Sequence, residues 1–394
     1  MIVPAAGLLP APNAAFGHSL RGLWSLDPSI HFLNHGAYGA TPRYVQAAQS
    51  HWREVMEREP VRFMTDELPV ALRGASARLA GFVGASPSRL AFVENATAGV
   101  NAVLRSMRWR AGDRIVIANH TYPAVRNTVR FLAERHRLTI IEARVPWPLA
   151  GPGDIVDAYA EAIAGGARLA IIDHIFSPLA VVTPLNAIVP LCRERGIAVL
   201  VDGAHAPGML PLALDALCDL GVTWYVGNAH KWLNAPKGCA FIVATPEGQR
   251  DLHPAVISNF FGEGFEPEFA WTGTGDPSAR LAVTAALAFI EALGVERYRV
   301  ALLDQARAAA ACIAEAWGVA PGAPLEMFPG MVTLPLPVDE PANAETVARW
   351  RKKLLEAHRI EVPVIDIDGR LWVRISAQIY NELSDYVVLS RAFE

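Results

Sequence analysis

Apolar and polar positions follow two different periods along the chain, and the changes of period mark its elements. From about residue 75, stretches with helical spacing alternate with short runs of β-branched and aliphatic residues. This order is typical of a doubly wound α/β domain with a mainly parallel sheet. Strands are predicted in "RIVIANHTY", "TIIEARV", "RLAIIDHIF", "IAVLVDGAH", "TWYVGNAH" and "GCAFIVAT", with helices between the first four.

The pattern changes at residues 262–277, where the Gly- and Pro-rich segment "GEGFEPEFAWTGTGDP" indicates a connection between domains. Two long Ala-rich helices follow, then a strand in "MVTLPLP", a helix, strands in "EVPVIDI" and "RLWVRISA", and a terminal helix. This is an α+β order. We therefore expect an N-terminal arm at 1–30, a large α/β domain at 31–265 and a smaller α+β C-terminal domain at 266–394.

Composition narrows the class of protein. Of 394 residues, 52% are hydrophobic and 19% charged, which is typical of a well-packed globular chain. The net charge is -4 and basic residues are dispersed, so nucleic acid is not expected as a partner. The first 22 residues lack a positive region before Arg21 and are interrupted by prolines, unlike a signal peptide. With no run near the ~18 to 20 apolar residues of a membrane span, we expect a cytoplasmic protein.

The cysteines and histidines do not form a metal-binding pattern. The four cysteines are widely spaced without a CxxC motif, which predicts reduced, packed thiols. No two histidines have the spacing of metal ligands, so no metal site is expected.

Polar residues close several of the predicted strands. Ligands of open parallel sheets bind at the carboxyl ends of the strands, so these residues are candidates for chemistry. A buried carboxylate at such a place, as expected for Asp202, requires a cationic partner or a ligand. The candidates are Asp202 and His205, Asp173 and His174, His120 and Tyr122, and Asn228, His230 and Lys231.

Two interpretations of Asp202 and Lys231 are open from the residues alone. They could form a structural ion pair, or both could face a ligand, because a buried lysine can form a Schiff base and an acid can hold a protonated pyridine nitrogen. Pyridoxal phosphate requires both groups and also donors for a phosphate. "ENATAGVN" at 94–101 offers Thr97 and free N–H groups at a predicted helix start, although Asn95 or Thr97 could simply cap that helix.

A family resemblance joins these motifs. "VDGAHAPG", followed about 25 residues later by "GNAHKWL", resembles the signature of class V aminotransferase-fold enzymes, which are fold type I pyridoxal phosphate proteins and include cysteine desulfurases. "FLNHGAYGATP", "EREPVRFM", "ENATAGVN" and "WTGTGDPSA" resemble isopenicillin N epimerase and its relatives, including sulfur-amino-acid lyases. The resemblance covers roughly residues 30–394 and implies a mainly parallel, doubly wound sheet of seven strands in the large domain.

The resemblance also implies roles for single residues in cofactor binding. Lys231 would hold the cofactor as a Schiff base and move protons, and Asp202 would pair with the ring nitrogen. His205 and Ser177 would lie near the phenolic oxygen, and Tyr122 would stack on the ring. The phosphate would be bound by Ala96, Thr97, Asn228 and His230, and by Thr274 of the other subunit of a homodimer.

For the amino-acid substrate, the resemblance implies that Arg374 in "LWVRISAQIYN" holds the carboxylate, a task that suits its bidentate fork. Asn34, His35 and Tyr38 in "NHGAYG" are candidate substrate contacts, or only part of a turn. The second lysine of the region, Lys237, is expected to face solvent.

The family members share removal of the Cα proton through an external aldimine and differ in the step that follows. We expect epimerisation first, with β-eliminating C–S lysis and then transamination as alternatives. Epimerisation by two bases needs a second acid, for which His35, Tyr38 or a partner residue are candidates. A persulfide-forming desulfurase is disfavoured because Cys312 falls within a predicted helix. Outside this class, a nicotinamide enzyme lacks its G-x-G-x-x-G motif, and a non-catalytic protein of the same fold stays open.

Overall fold

A computed structural model describes residues 8–11 and 13–393, so residues 1–7 and 12 of the expected N-terminal arm lie outside the described residues. The strands are β1 (His31–Phe32), β2 (Leu90–Val93), β3 (Arg114–Ala118), β4 (Thr139–Ala143), β5 (Leu169–Asp173), β6 (Ala198–Asp202), β7 (Trp224–Asn228), β8 (Ala240–Ala244), β9 (Met331–Pro335), β10 (Ile360–Glu361), β11 (Val364–Ile367) and β12 (Arg370–Ser376).

Helices connect these strands and cover both faces of the central sheet. They are α1 (His35–Tyr38), α2 (Arg43–Arg58), α3 (Pro60–Arg62), α4 (Leu68–Val83), α5 (Ala96–Ser106), α6 (Pro123–His136), α7 (Pro152–Ile163), α8 (Leu185–Glu194), α9 (Leu214–Leu220), α10 (Pro246–Gln249), α11 (Phe265–Ala270), α12 (Ser278–Leu281), α13 (Val283–Leu293), α14 (Val295–Trp317), α15 (Ala344–His358) and α16 (Leu383–Arg391). Short 3₁₀ turns lie at His18–Leu23, Pro87–Arg89 and Leu325–Met327, and a π-helical turn lies at Phe63–Glu67.

Seven strands form the central sheet in the order β2-β8-β7-β6-β5-β3-β4. The pairs from β4 to β7 are parallel, and β8 runs antiparallel to both of its neighbours. Every residue of β5 and β8 is buried, which explains why their sequences are continuous apolar runs rather than alternating ones. Separate apolar clusters pack on the two faces of the sheet. The predicted α/β fold with a mainly parallel seven-stranded sheet is confirmed.

Two details differ from the elements that periodicity predicted. The four residues of β2 form an edge strand beside β8 that the pattern did not indicate. The first of the two predicted Ala-rich helices is divided into α12 and α13 at Ala282. All the strands predicted in the large domain are present, and each is shorter than its predicted sequence run.

The C-terminal part contains an antiparallel sheet of three strands in the order β11-β12-β9. A second, two-stranded sheet joins distant parts of the chain, because β1 near the N-terminus pairs in parallel with β10.

Among the described residues, no single helix is long and apolar enough to cross a membrane, and α12 to α14 pass that test only jointly, across a bend of 76°. The proposed domain boundaries stay a prediction.

Candidate active site

A cavity of about 320 Å³ opens at the carboxyl ends of β5, β6 and β7, facing the start of α5. The parallel direction of these strands explains the location, since their last residues reach the same edge of the sheet. The cavity is lined by Ala37, Tyr38, Glu94, Asn95, Ala96, Thr97, Tyr122, Asp173, Ile175, Ser177, Asp202, Ala204, His205, Asn228, His230, Lys231, Lys237 and Gly238.

Lys231 is a buried lysine in the loop after β7, with its side chain directed into the cavity. Burial, reinforced by the charge of Arg374 and opposed by that of Asp202, lowers the pKa of its amine to about 7. Its Nζ lies 3.1 Å from Nε2 of His205, whose pKa burial lowers well below the usual value. The neutral imidazole therefore accepts a hydrogen bond from the amine and orients it.

Asp202 ends β6 and is buried beside Asp173, which ends β5. One carboxylate oxygen of Asp202 accepts a hydrogen bond from the amide of Ala204 at 3.0 Å. Within the part of the chain that the structure describes, no lysine or arginine nitrogen lies within 4.0 Å of this carboxylate. The structural ion pair between Asp202 and Lys231 is therefore not formed, and the carboxylate faces the cavity.

The start of α5 lies at the opposite side of the cavity, and the N–H groups of Ala96 and Ala98 in its first turn donate to other side chains of the protein. Asn95 caps this helix by accepting a hydrogen bond from the amide of Ala98 at 2.8 Å. Oδ1 of Asn228 accepts a second one from the amide of Ala96 at 2.9 Å, which fixes the end of β7 against the helix. Because Asn95 performs the capping, the Thr97 side chain lines the cavity at the positive end of the helix dipole.

Arg374 on β12 is buried next to Ser177, and its Nη1 donates hydrogen bonds to the main-chain oxygen and the hydroxyl of Ser177 at 2.6 and 3.1 Å. Burial lowers the pKa of the guanidinium to about 10, which leaves it charged at neutral pH. Its Nε is buried without a hydrogen-bond partner among the described residues. An unused donor next to the cavity fits an anionic ligand. Tyr122 lines the cavity with its ring 42% exposed.

The structure separates the residues of "NHGAYG". Tyr38 lines the cavity and is 74% exposed, whereas His35 is fully buried behind it. His35 Nε2 donates to the main-chain oxygen of Lys231 at 3.1 Å, and Nδ1 accepts from the hydroxyl of Tyr380 at 2.9 Å. Burial lowers the pKa of His35 to about 3, so the ring is neutral and its nitrogens are occupied by the protein. The structure therefore places His35 in the core, away from the cavity.

Besides His35, three predicted residues are not among the residues that line the cavity: Arg374, Asn34 and Thr274. Asn34 is buried and donates to the Glu361 carboxylate at 3.1 Å. Thr274 is exposed in the loop between α11 and α12. Thr274 must be exposed if it binds the phosphate in another subunit, as the resemblance implies. Because the structure contains a single chain, that role stays a prediction.

His230 and Gly39 show how closely the backbone approaches behind the lysine. The His230 ring contacts the oxygen of Cys239 through Nδ1 at 3.2 Å, and burial lowers its pKa to about 4. Gly39 has a φ of +68°, and a Cβ added there would lie 2.0 Å from the oxygen of His230. Only glycine allows this contact, which holds the loop of Lys231 against the segment that carries Tyr38.

Several residues that line the cavity had no predicted role, and three of them are Asp173, Ala204 and Lys237. Asp173 was one of several polar residues at the ends of predicted strands. Its position next to Asp202 follows from the order of the strands in the sheet. Ala204 lies two residues beyond Asp202, to which its amide donates a hydrogen bond. Lys237 was expected to face solvent, and it is exposed but also borders the cavity.

The fold and this cavity define a fold type I pyridoxal phosphate enzyme. A buried lysine with a depressed pKa, a buried carboxylate across the cavity and the positive end of a helix dipole match the aldehyde, ring nitrogen and phosphate of that cofactor. The chain belongs to the aminotransferase class V family, whose model matches residues 42–324.

Relatives within the family have two different names. The chain is 30% identical to a probable L-cysteine desulfhydrase of Arabidopsis thaliana, over 91% of this chain and 81% of that one. It is 32% identical to isopenicillin N epimerase of Streptomyces clavuligerus, over 92% and 93% of the two chains. Among solved structures, a cysteine desulfurase from Thermococcus onnurineus superimposes with a TM-score of 0.79 at 18% identity, covering 97% and 98% of the chains. The last likeness concerns the fold.

The depressed pKa of Lys231 predicts how the apoprotein combines with pyridoxal phosphate. Only the neutral amine attacks an aldehyde, and an ordinary lysine is neutral in roughly one molecule in a few thousand at pH 7. With a pKa of about 7, half of the Lys231 amines are neutral there. We expect the rate of appearance of the visible absorbance to rise with pH to a midpoint near this value. Nα-acetyl-lysine is the control, with a midpoint near ~10; a protein midpoint above ~9 would contradict the prediction.

Proposed function

We propose that the protein removes the Cα proton of a small amino acid and expels its β-substituent, as a β-eliminating C–S lyase does. The observation that carries this proposal is the position of His35. Epimerisation by two bases needs an acid on the face of Cα opposite to the lysine. His35, a candidate for that acid, is buried with its nitrogens bonded to Tyr380 and Lys231. Elimination needs one base, and the amine of Lys231 supplies it.

The cavity residues would hold the cofactor in one orientation. Lys231 would bind its aldehyde and Asp202 its ring nitrogen, and Tyr122 and Ala204 would lie against the two faces of the ring. The positive end of the α5 dipole, with the side chains of Thr97, Asn228 and His230 and that of Thr274 from another subunit, would bind its phosphate. When bound, the protonated ring withdraws electrons from Cα and so lowers the barrier to proton removal.

The remaining proton transfers are assigned to this chain. Nζ of Lys231 would take the Cα proton, and the neutral Nε2 of His205 at 3.1 Å would hold Nζ toward that carbon. The same amine, once protonated, can return a proton to the departing sulfur. Ser177 and His205 would contact the phenolic oxygen of the cofactor, on the side where Arg374 lies.

Arg374 is proposed to bind the substrate carboxylate, and its removal should affect substrate binding more than turnover. We expect Arg374→Leu to raise KM by about 10- to 100-fold, the loss of one or two charge-assisted hydrogen bonds. Arg374→Lys should also raise KM, since an ammonium lacks the planar fork. The control is Arg370→Leu, at the exposed start of the same strand. An unchanged KM in a folded Arg374 variant would contradict the assignment.

Epimerisation is the second candidate, and Tyr38 is the observation that favours it. Its phenol lines the cavity on the segment that covers the lysine, and relatives named isopenicillin N epimerase are 32% identical. Tyr38 would then supply the proton on the second face. A persulfide mechanism is not proposed, because Cys312 lies in α14 and none of the four cysteines is among the described lining residues.

One experiment separates these reactions. The holoenzyme is incubated with L-cysteine and other small amino acids in deuterated water, and Cα deuterium, configuration, pyruvate and sulfide are followed. Release of pyruvate with sulfide supports elimination. Deuterium at Cα of a recovered D-amino acid supports epimerisation and overturns elimination. Conversion of the cofactor to its aminated form, with a 2-oxo acid as product, identifies transamination.

We also propose a cytoplasmic homodimer with active sites at the subunit interface. The exposed position of Thr274, distant in sequence from the other phosphate ligands, supports a contribution to a second copy. The exposed apolar side chains Tyr38, Phe260 and Phe261 are in accord with burial in such a contact. Sedimentation of the purified holoprotein tests whether it is a dimer. Retention of the cofactor by Thr274→Ala tests whether Thr274 contributes to the phosphate site.

A further inference from the structure

Two carboxyl groups, rather than one, lie where the ring nitrogen of the cofactor would bind. Asp173 and Asp202 are the last residues of the adjacent parallel strands β5 and β6, and they are direct partners in the register of the sheet. Partners in register project to the same side of a sheet. Asp173 is 2% exposed and Asp202 is 5% exposed, and both line the cavity.

This pair cannot hold two negative charges cheaply. Among the described residues, neither carboxylate has a lysine, arginine or histidine nitrogen within 4.0 Å. Two buried carboxyl groups so placed share one proton, because the second ionisation is opposed both by burial and by the first charge. Burial raises the pKa of Asp202, an effect that the amide of Ala204 and the charge of Lys231 oppose. Burial also raises the pKa of Asp173, and there the neighbouring Asp202 adds to the effect, so that the value is about 8.

Hydrogen bonds orient the carboxyl group of Asp173 and oppose the rise of its pKa, but burial and the neighbouring Asp202 outweigh them. The Thr121 hydroxyl accepts a hydrogen bond from the amide of Ala118 at 3.1 Å, so its own hydrogen is directed to Oδ2 of Asp173 at 2.8 Å. Thus Oδ2 accepts this hydrogen bond. On the neighbouring strand, Asp202 accepts from the amide of Ala204 with one oxygen and has the other available.

We propose that Asp173 is a positioning residue of the cofactor site, which stays protonated at neutral pH and donates its proton in a hydrogen bond to Asp202. Asp202 then carries the single negative charge of the pair and presents it to the ring nitrogen. Asp173 would not touch the substrate. The inference rests on the assigned cofactor and deepens the proposed function, but it does not depend on which reaction follows proton removal.

The other titratable groups near Asp173 do not change charge between pH 6.5 and 9.5 in a way that would cause the same loss of cofactor affinity. Burial raises the pKa of Tyr159 from α7 and of Tyr225 from β7 well above the usual value. His174 and His205 stay neutral because burial lowers their pKa. Lys231 has a pKa of about 7 in the free protein, so its loss of a proton raises the affinity for the aldehyde as pH rises, which is opposite in direction to the loss expected from Asp173.

The test measures the dissociation constant of pyridoxal phosphate by equilibrium dialysis, for the full chain, between pH 6.5 and 9.5. Asp173→Asn keeps an acceptor for Thr121 and a donor for Asp202, so its affinity at pH 7 should stay within ~3-fold of the unaltered protein. Asp173→Leu has neither group and should bind about 10-fold more weakly. The unaltered protein should lose affinity as Asp173 ionises above pH 8, and Asp173→Asn should not.

A third variant tests the direction of the pH effect. The hydrogen bond from Thr121 lowers the pKa of Asp173, so Thr121→Val should move the alkaline loss of affinity to higher pH. The proposal is overturned if Asp173→Asn binds as weakly as Asp173→Leu, or if the alkaline loss persists in Asp173→Asn. Should Asp173→Leu fail to fold, the other two variants still decide. If the unaltered protein binds no pyridoxal phosphate, the cofactor assignment itself is wrong.

Discussion

Replacing Lys231 by alanine is expected to lower kcat by at least about 10³-fold, the largest effect of any single substitution in this protein. The variant loses both the covalent anchor of the cofactor and the base for Cα, and a positioned general base alone contributes about 10²- to 10⁴-fold. Steady-state rates with saturating pyridoxal phosphate measure the loss. The visible absorbance of the bound Schiff base should disappear in the same variant.

The control for this substitution is Lys352→Ala. The chain has four lysines, of which Lys352 lies on the exposed face of α15 with its amine 3.9 Å from Glu356. Borohydride reduction of the holoenzyme, followed by peptide mapping, should mark the peptide that contains Lys231. A modified Lys237, or turnover by Lys231→Ala above a hundredth of the original rate, would show that another amine is the anchor.

Replacing Asp202 by asparagine should lower kcat by roughly 100-fold, the second largest effect. Leaving one member of a buried charge pair without its partner costs about 3 kcal/mol or more, and each ~1.4 kcal/mol is a factor of ten. Asparagine keeps the size of the side chain and can still accept from the amide of Ala204, so the fold should persist. The rate is to be measured with the cofactor in excess, together with its affinity.

Asp251→Asn is the matched control, since this aspartate forms an exposed ion pair with Arg108 at 2.9 Å. Exposed pairs contribute little, so the rate should not change measurably. If Asp202→Asn were as active as this control, the ring nitrogen would not require an anionic partner, and Asp173 would lose its proposed role with it.

Sequence periodicity predicted those parts of the fold that depend on local burial. The strands β5 to β8 are buried on both faces, and their continuous apolar runs are visible without any tertiary information. The edge strand β2 was not predicted, because four apolar residues after a 3₁₀ turn do not distinguish a strand from the start of a helix. It pairs with β8, which lies far along the chain: Leu90 is paired with Val243, 153 positions later. Such a distant partner cannot be predicted from local sequence.

The candidate site was predictable to the same extent and for the same reason. Asp202, Asn228 and Lys231 follow apolar strands, so their convergence at one edge of the sheet follows from parallel topology. The burial of His35 depends on Tyr380, which lies more than 300 positions further along the chain. The adjacency of Asp173 and Asp202 depends on the order of the strands. Neither can be obtained from local spacing.

His35 also connects the two parts of the chain that carry the proposed base and the proposed carboxylate-binding group. Its ring joins the hydroxyl of Tyr380, in the C-terminal segment, to the main-chain oxygen of Lys231. A rotation of that segment, which also carries Arg374, must either break these bonds or displace the loop of the lysine. We therefore expect binding of a carboxylate by the arginine and alignment of the amine to be coupled through His35.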